Sequence, residues 1–199
     1  MVIEGRGSQA ILNELFNKDP FEVYVNNQLN NSCIRTCELG NDINNITLRF
    51  NDKIISGENM FLKLGNIIEI NLTNFDTSNI NNMLGMFSHC TKLKKITFGN
   101  IDTSLVTNMQ QLFFHCEHLT AIDLSNFQTS LVTTMEEMFS NCKKLQSIDV
   151  SSFNTSKVEN MYDLFAHCYE LELINLSNFN NSKVTIMQGM FYQSRKIKY

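Results

Sequence analysis

Six cysteines and four histidines are the residues of this chain best suited to chemistry, and most of them recur at one interval. Cys90, Cys116, Cys142 and Cys168 repeat every 26 residues, and three of them follow a histidine: His89, His115 and His167, with Asn141 in the fourth place. Thiolate and imidazole are zinc ligands, so a column of them invites a metal reading. Neighbouring residues on a helix point about 100° apart, however, so a core-facing Cys turns its His outward, and no closed four-ligand set with zinc spacing can be drawn. A disulfide ladder fares no better. Stacked backbone holds equivalent residues about 4.8 Å apart with parallel Cβ vectors, whereas a disulfide brings its Cβ atoms to about 3.8 Å. The four thiols are therefore expected reduced and buried as small apolar groups, and the histidines solvated or capping a helix end. Cys33 and Cys37 form a separate C-x3-C pair whose spacing permits a disulfide without requiring one.

Two carboxylates call for the same weighing. Asp123 and Asp149 are expected side by side on the outward face of a sheet, in the column Asn71, Thr97, Asp123, Asp149, Asn175. Adjacent carboxylates can take calcium or exchange protons, but at a solvated surface they are expected to do neither. The chain has no G-x-S-x-G, P-loop or H-E-x-x-H. It is read as non-catalytic, with no cofactor and no catalytic or metal residue assigned. A metal-dependent enzyme is the most distant alternative.

The elements that carry these residues follow from the same period. Phe61, Phe87, Phe113, Phe139, Phe165 and Phe191 keep the 26-residue interval, as do Met83, Met109, Met135, Met161 and Met187, and Val106, Val132, Val158 and Val184. A fixed period of this length means stacked supersecondary units, none able to bury its apolar face alone. Within one unit Val106, Met109, Leu112, Phe113 and Cys116 fall at i, i+3, i+6, i+7 and i+10, which predicts a short helix. Thr103-Ser104 precedes it where a hydroxyl caps a first turn, as Thr129-Ser130, Thr155-Ser156 and Asn181-Ser182 do later. Leu119, Ile122 and Leu124 then alternate as a short strand.

The order of elements, with Met86-Phe87-x-x-Cys90-x-x-Leu93-x-x-Ile96-x-Phe98 and the connecting Ser125 to Met135, resembles the BspA-like family of leucine-rich-repeat surface proteins. The resemblance spans about Met60 to Tyr199. It implies a parallel-stranded solenoid displayed at or near a cell surface and used for adhesion or recognition. The fold expected is α/β: a leucine-rich-repeat solenoid with a parallel sheet on one face and short helices on the other, plus an N-terminal α+β cap.

Residues 1–56 lie outside the repeat and are read as that cap. Ser8 to Phe16 predicts a helix with Ile11, Leu12, Leu15 and Phe16 on one side, ended by Asp19-Pro20. Phe21–Val25 and Ile46–Phe50 alternate as strands, and Asn26-Asn27 signals a turn. Residues 57–199 hold the repeats. The first is degenerate, with Leu64 in the Cys place. In the last, which is incomplete, Ser194 replaces Cys and Ile197 takes the Leu position, with no cap pattern after it. That end is expected to associate with another copy or to continue into further repeats.

At 199 residues and 43% hydrophobic composition the chain suits an ordinary folded domain. Net charge is −4 with 18% charged residues, so no basic field exists to hold a nucleic acid. No segment approaches the ~18 apolar residues of a membrane span, and no signal peptide is visible, which sets the sequence against the surface location implied by resemblance. Sequons such as Asn45-Ile46-Thr47 arise by chance in a chain this rich in Asn, Ser and Thr, and place nothing. The partner expected is a protein or cell-surface ligand met by the exposed strand face: Asn71, Lys94, Lys95, Thr97, Thr120, Asp123, Gln146, Asp149, Glu172 and Asn175. These positions vary in type while the inward columns barely change. An intracellular scaffold is the runner-up reading.

Overall fold

Among the described residues, ten short strands carry the regular backbone. A computed structural model describes residues 1–198, so the expected end of the last unit at Tyr199 lies outside the described residues. The strands are β1 Val2–Glu4, β2 Gly7–Ala10, β3 Glu22–Val25, β4 Gln28–Leu29, β5 Thr36–Leu39, β6 Ile43–Arg49, β7 Ile67–Asn71, β8 Lys95–Thr97, β9 Ser147–Ile148 and β10 Leu173–Ile174. Among the described residues there is no helix. The α/β class expected from the sequence is therefore incorrect: the molecule is all-β, with small sheets joined by turns.

The stretch read as a helix shows why. Within one unit Leu112 N–H donates to Met109 O at 3.3 Å, Phe114 to Gln111 O at 3.1 Å and Cys116 to Phe113 O at 3.1 Å, all i to i−3 bonds that close single turns. Between these, Gln111 and His115 take φ of 55° and 57°. The reversed backbone swings every second amide out of the unit. Gln111 donates to Glu136 O at 2.8 Å, Phe113 to Met138 O at 2.9 Å and His115 to Ser140 O at 2.9 Å, each a carbonyl of the next unit. Left-handed backbone at a non-glycine residue costs about 1–2 kcal/mol. Each inter-unit hydrogen bond returns a net ~0.5–1.5 kcal/mol, and three amides per unit gain one at these positions. An isolated ten-residue helix is marginal in water, so the turns win. The same left-handed pair recurs at Asn59 and Lys63, Gly85 and His89, Glu137 and Asn141, Asp163 and His167, and Gly189 and Gln193.

Stacking in register follows. Parallel bridges run Ser56–Asn82–Asn108–Thr134–Asn160–Ile186, one per unit. Phe61, Phe87, Phe113, Phe139, Phe165 and Phe191 form a column of near-parallel rings with centroids 5.3–5.7 Å apart. Met109, Leu112, Leu119, Val132, Met135 and Leu145 are fully buried around it.

The N-terminal residues are all-β as well, correcting the α+β cap. Residues Ser8 to Ala10 belong to β2, which pairs antiparallel with β5, and Leu15, assigned to the buried side of a helix, is 64% exposed. Arg35 decides this segment: its backbone carbonyl accepts from Ile11 N–H at 2.8 Å and Leu12 N–H at 3.3 Å, where a helix starting at Ser8 would have turned Leu12 N–H onto Ser8 O, and its guanidinium donates to the carbonyls of Asn13 and Phe16. Hairpin β3–β4 turns through Asn26 and Asn27, both with positive φ, as a two-residue turn of this twist requires. The largest sheet has the order β4-β3-β6-β1-β7-β8 and joins the N-terminal strands to the first two repeat strands; β9 and β10 pair in parallel separately. Asn13 closes the first repeat directly. Its backbone N–H donates to Met60 O at 3.0 Å and its Nδ2 to Leu62 O at 2.7 Å. In the next unit the matching carbonyls, Met86 O and Ser88 O, accept from Phe61 and Lys63 of the unit before.

Candidate functional site

The outward face of the strand column is the surface that the sequence singles out. Lys95 and Thr97 lie on β8, Lys94 immediately before it, and Asn71 ends β7. Gln146 and Asp149 flank β9, and Glu172 and Asn175 flank β10. Thr120 and Asp123 lie between β8 and β9 outside any strand, joined to the next unit by Gln146 N–H donating to Thr120 O at 3.1 Å. Asn71, Lys94, Lys95, Thr120, Asp123, Gln146, Asp149 and Asn175 are exposed; Thr97 and Glu172 are half-buried.

Not all of these side chains are free to meet a ligand. Asn71, Asp123, Asp149 and Asn175 each accept from the backbone N–H two residues on, at 2.9–3.0 Å, and so shape the turn that leaves the strand. Hydrogen bonds from Ser125 and Ser151 hold the Asp123 and Asp149 carboxyls below the usual carboxylate range. At neutral pH both are ionised, and neither is tuned to donate a proton. Glu172 pairs with Lys198 at 2.9 Å, which lowers its pKa. Lys94 and Lys95 therefore bring positive charge to the face at one unit and the ionised Asp123 and Asp149 negative charge at the next two, while Glu172 is neutralised by Lys198.

The cysteine column lies inside the core. Cys90, Cys116, Cys142 and Cys168 are free, buried thiols, and each Sγ donates to a phenylalanine carbonyl of the preceding unit: Phe61, Phe87, Phe113 and Phe139, at 3.1–3.2 Å. Ser194 makes the same bond to Phe165 O at 2.6 Å. Burial pushes the Cys90 and Cys168 thiols up to about 12 and those of Cys116 and Cys142 well up, so thiolate nucleophiles are absent at neutral pH. Cys33 and Cys37 are joined in a disulfide, the alternative that their spacing left open.

The histidines form a spine at the unit edge instead of capping helices. His89 and His115 stack with centroids 4.7 Å apart. His115 Nδ1 lies 3.1 Å from Glu117, which also pairs with Lys143 at 2.9 Å. His167 packs edge-on against Tyr192 and Tyr169. Among the described residues no three His, Cys, Asp or Glu side chains converge as a metal would need.

A second ladder went unread in the sequence. Thr103, Thr129 and Thr155, expected as helix caps, are fully buried between units. The hydroxyl of Thr129 donates to Asn154 O at 3.0 Å and accepts from Asn154 N–H at 2.8 Å, and Thr103 and Thr155 do the same with Gln128 and Asn180. The 26-residue recurrence of Thr was visible, but a capping hydroxyl and an inter-unit hydroxyl have the same sequence signature.

The repeat geometry has a family counterpart. The family model described as "Mycoplasma protein of unknown function, DUF285" matches residues 55–149 and again 120–199. The chain belongs to this family. The two overlapping DUF285 matches cover the stacked units and leave out residues 1–54. No curated protein matches the chain. A crystal structure of a leucine-rich repeat protein from T. pallidum is similar at 17% identity over 67% of this chain and 69% of that one, with a TM-score of 0.40. That likeness is too distant to bear on fold or function here. No helix among the described residues is long and apolar enough to cross a membrane.

Proposed function

We propose that the protein is a non-catalytic recognition or adhesion module of the BspA-like surface-protein type, in which residues 57–199 present the strand face and residues 1–56 cap the stack. The observation that supports this is the contrast between the two sides of one strand column. Leu93, Leu119, Leu145 and Leu171 are identical and fully buried, while the outward Lys94, Thr120, Gln146 and Glu172 differ in charge and size from unit to unit. A scaffold holding a constant core beneath a varied polar face can meet a protein or cell-surface ligand by side-chain choice alone.

The test is adhesion of the immobilised protein to extracellular-matrix proteins and cultured cell surfaces, beside a K94E/K95E variant. We expect the charge reversal to reduce adhesion by about tenfold or more with melting unchanged, since both lysines are exposed. Equal adhesion by the two proteins would remove the face from the account. Self-association is proposed as well, through the last unit, where Ile186, Met187 and Tyr192 are 45%, 41% and 57% exposed. Sedimentation velocity should show mass rising with concentration, and a monomer at every concentration would contradict it.

A further inference from the structure

Lys94, Thr120, Gln146, Glu172 and Lys198 stand one unit apart, at the same place in successive units. Four of their amides donate to the carbonyl 26 residues upstream: Lys94 to Ile68 O at 2.9 Å, Gln146 to Thr120 O at 3.1 Å, Glu172 to Gln146 O at 2.9 Å and Lys198 to Glu172 O at 3.1 Å. Thr120 breaks the series. Among the described residues its N–H makes no bond to Lys94 O, and no other backbone bond joins residues 94–98 to residues 120–124. The strand ladder stops at the same place: the six-stranded sheet ends at β8, and pairing resumes only with β9 and β10.

Residue size explains the interruption. At the end of the strand position most units place an aliphatic residue and, three positions on, a phenylalanine: Leu72 and Phe75, Leu124 and Phe127, Val150 and Phe153, Leu176 and Phe179. One unit reverses the order, with Phe98 and Ile101. The buried Phe98 ring stands against the next unit, with its centroid 4.9 Å from that of Phe127 and 6.3 Å from that of Phe113. Gly99 turns the chain toward the preceding unit instead: its φ is 62°, and a Cβ on it would lie 2.7 Å from Thr73 Cα. Ring and glycine together draw this strand toward the unit before it and hold off the unit after it.

The turn edge of the same junction is intact. Met83, Gly85, Phe87 and His89 donate to the carbonyls of Asn108, Gln110, Leu112 and Phe114 at 2.7–3.0 Å, and Thr103 exchanges two bonds with Gln128. At the strand edge, single side chains bridge the two ends of the gap: His118 Nδ1 lies 2.7 Å from Thr91 O, and Asn126 Nδ2 donates to Gly99 O at 3.3 Å. The backbone between them is unbonded.

We propose that this junction is a hinge: residues 1–98 and residues 119–198 move as two bodies, opening and closing along the strand edge about an axis that follows the bonded turn edge. The motion changes the spacing between Lys94 and Lys95 on one body and Asp123 and Asp149 on the other, so the outward face adapts to surfaces of different curvature while each body keeps its core. The hinge stands on the bonding pattern alone, so it and the adhesion reading can fail separately.

NMR on the isotope-labelled 199-residue protein tests it in two ways, beside a variant that restores the usual size order, F98L/I101F. In hydrogen exchange, the Thr120 amide is expected to exchange roughly a hundredfold faster than those of Lys94 and Gln146. In a weakly aligning medium, the residual dipolar couplings of residues 1–98 and of residues 119–198 are expected to require alignments of different magnitude, as two bodies in relative motion do. The variant is expected to slow Thr120 to the rate of Gln146 and to bring both halves to one alignment. Thr120 as protected as Gln146 in the unaltered protein, or one alignment fitting all its couplings, overturns the hinge. A folded variant in which Thr120 still exchanges fast overturns the role given to Phe98; if the variant does not fold, the two measurements on the unaltered protein still decide the hinge.

Discussion

Cys142 shows how one atom ties two units together. Its thiol donates to Phe113 O from a fully buried position, and Ser194 fills the same role at the end of the column. Cys142→Ser keeps the donor, whereas Cys142→Val keeps the apolar volume and leaves Phe113 O with the Cys116 N–H alone, losing one inter-unit bond worth about 0.5–1.5 kcal/mol. Urea unfolding is expected to rank Ser as the milder change; the reverse order would mean that the thiol acts only as apolar filling. Phe113→Ala should cost about 3–5 kcal/mol, because the ring is buried between Phe87 and Phe139, and a loss below about 1 kcal/mol would contradict the column. His89 sets a pH dependence. Its pKa is lowered from 6.5, first by burial and then by repulsion from His115 and Lys63, against a smaller opposing pull from Glu117. The folded state thus resists protonation, so the stability His89 supports is present above pH 6.5 and declines as pH falls below it. His89→Asn, the residue type at Asn141 of the same column, should flatten that decline in thermal melts at pH 5–7. An unchanged slope would assign the acid sensitivity elsewhere.

At the scale of the element, the turn ladder departs most from expectation, and one surface position separates the two readings. Lys63 is exposed with φ of 61°. On a helix surface glycine is less stable than alanine by about 1 kcal/mol; at a left-handed residue the order reverses by a similar amount. Lys63→Gly is therefore expected to melt above Lys63→Ala, and the opposite result would restore the helix. The apolar pattern could not make this distinction. Val106, Met109, Leu112, Phe113 and Cys116 fit one helical stripe, yet buried residues spaced by three also arise from consecutive three-residue turns. What decides is where the odd-numbered amides find carbonyls, and those lie 25 residues downstream. The column itself was legible, because identical residues at one interval stack whatever the local backbone does. The segment after Ser8 misled for a similar reason: its stripe is helical, but the backbone carbonyl of the distant Arg35 takes the Ile11 and Leu12 amides.

From residue 55 on the molecule is a stack whose units are joined by parallel bridges, turn amides, buried threonine hydroxyls and cysteine thiols. The N-terminal end is closed by Asn13 and by β1 pairing with β7. The all-β construction of these N-terminal residues could not be inferred from the sequence, since β1, Val2–Glu4, is three residues long and shows no pattern of its own. Likewise the outward columns were readable as a surface, but not that Asn71, Asp123, Asp149 and Asn175 use their side-chain oxygens to shape turns. Inter-unit bonding fixes which residues face out. Hydrogen-bond scalar coupling in the NMR spectrum reports the acceptor of a given amide directly. For Phe113 the coupling should run to the carbonyl of Met138, in the next unit; a coupling to the carbonyl of Met109, four residues back in a helix, would contradict the account.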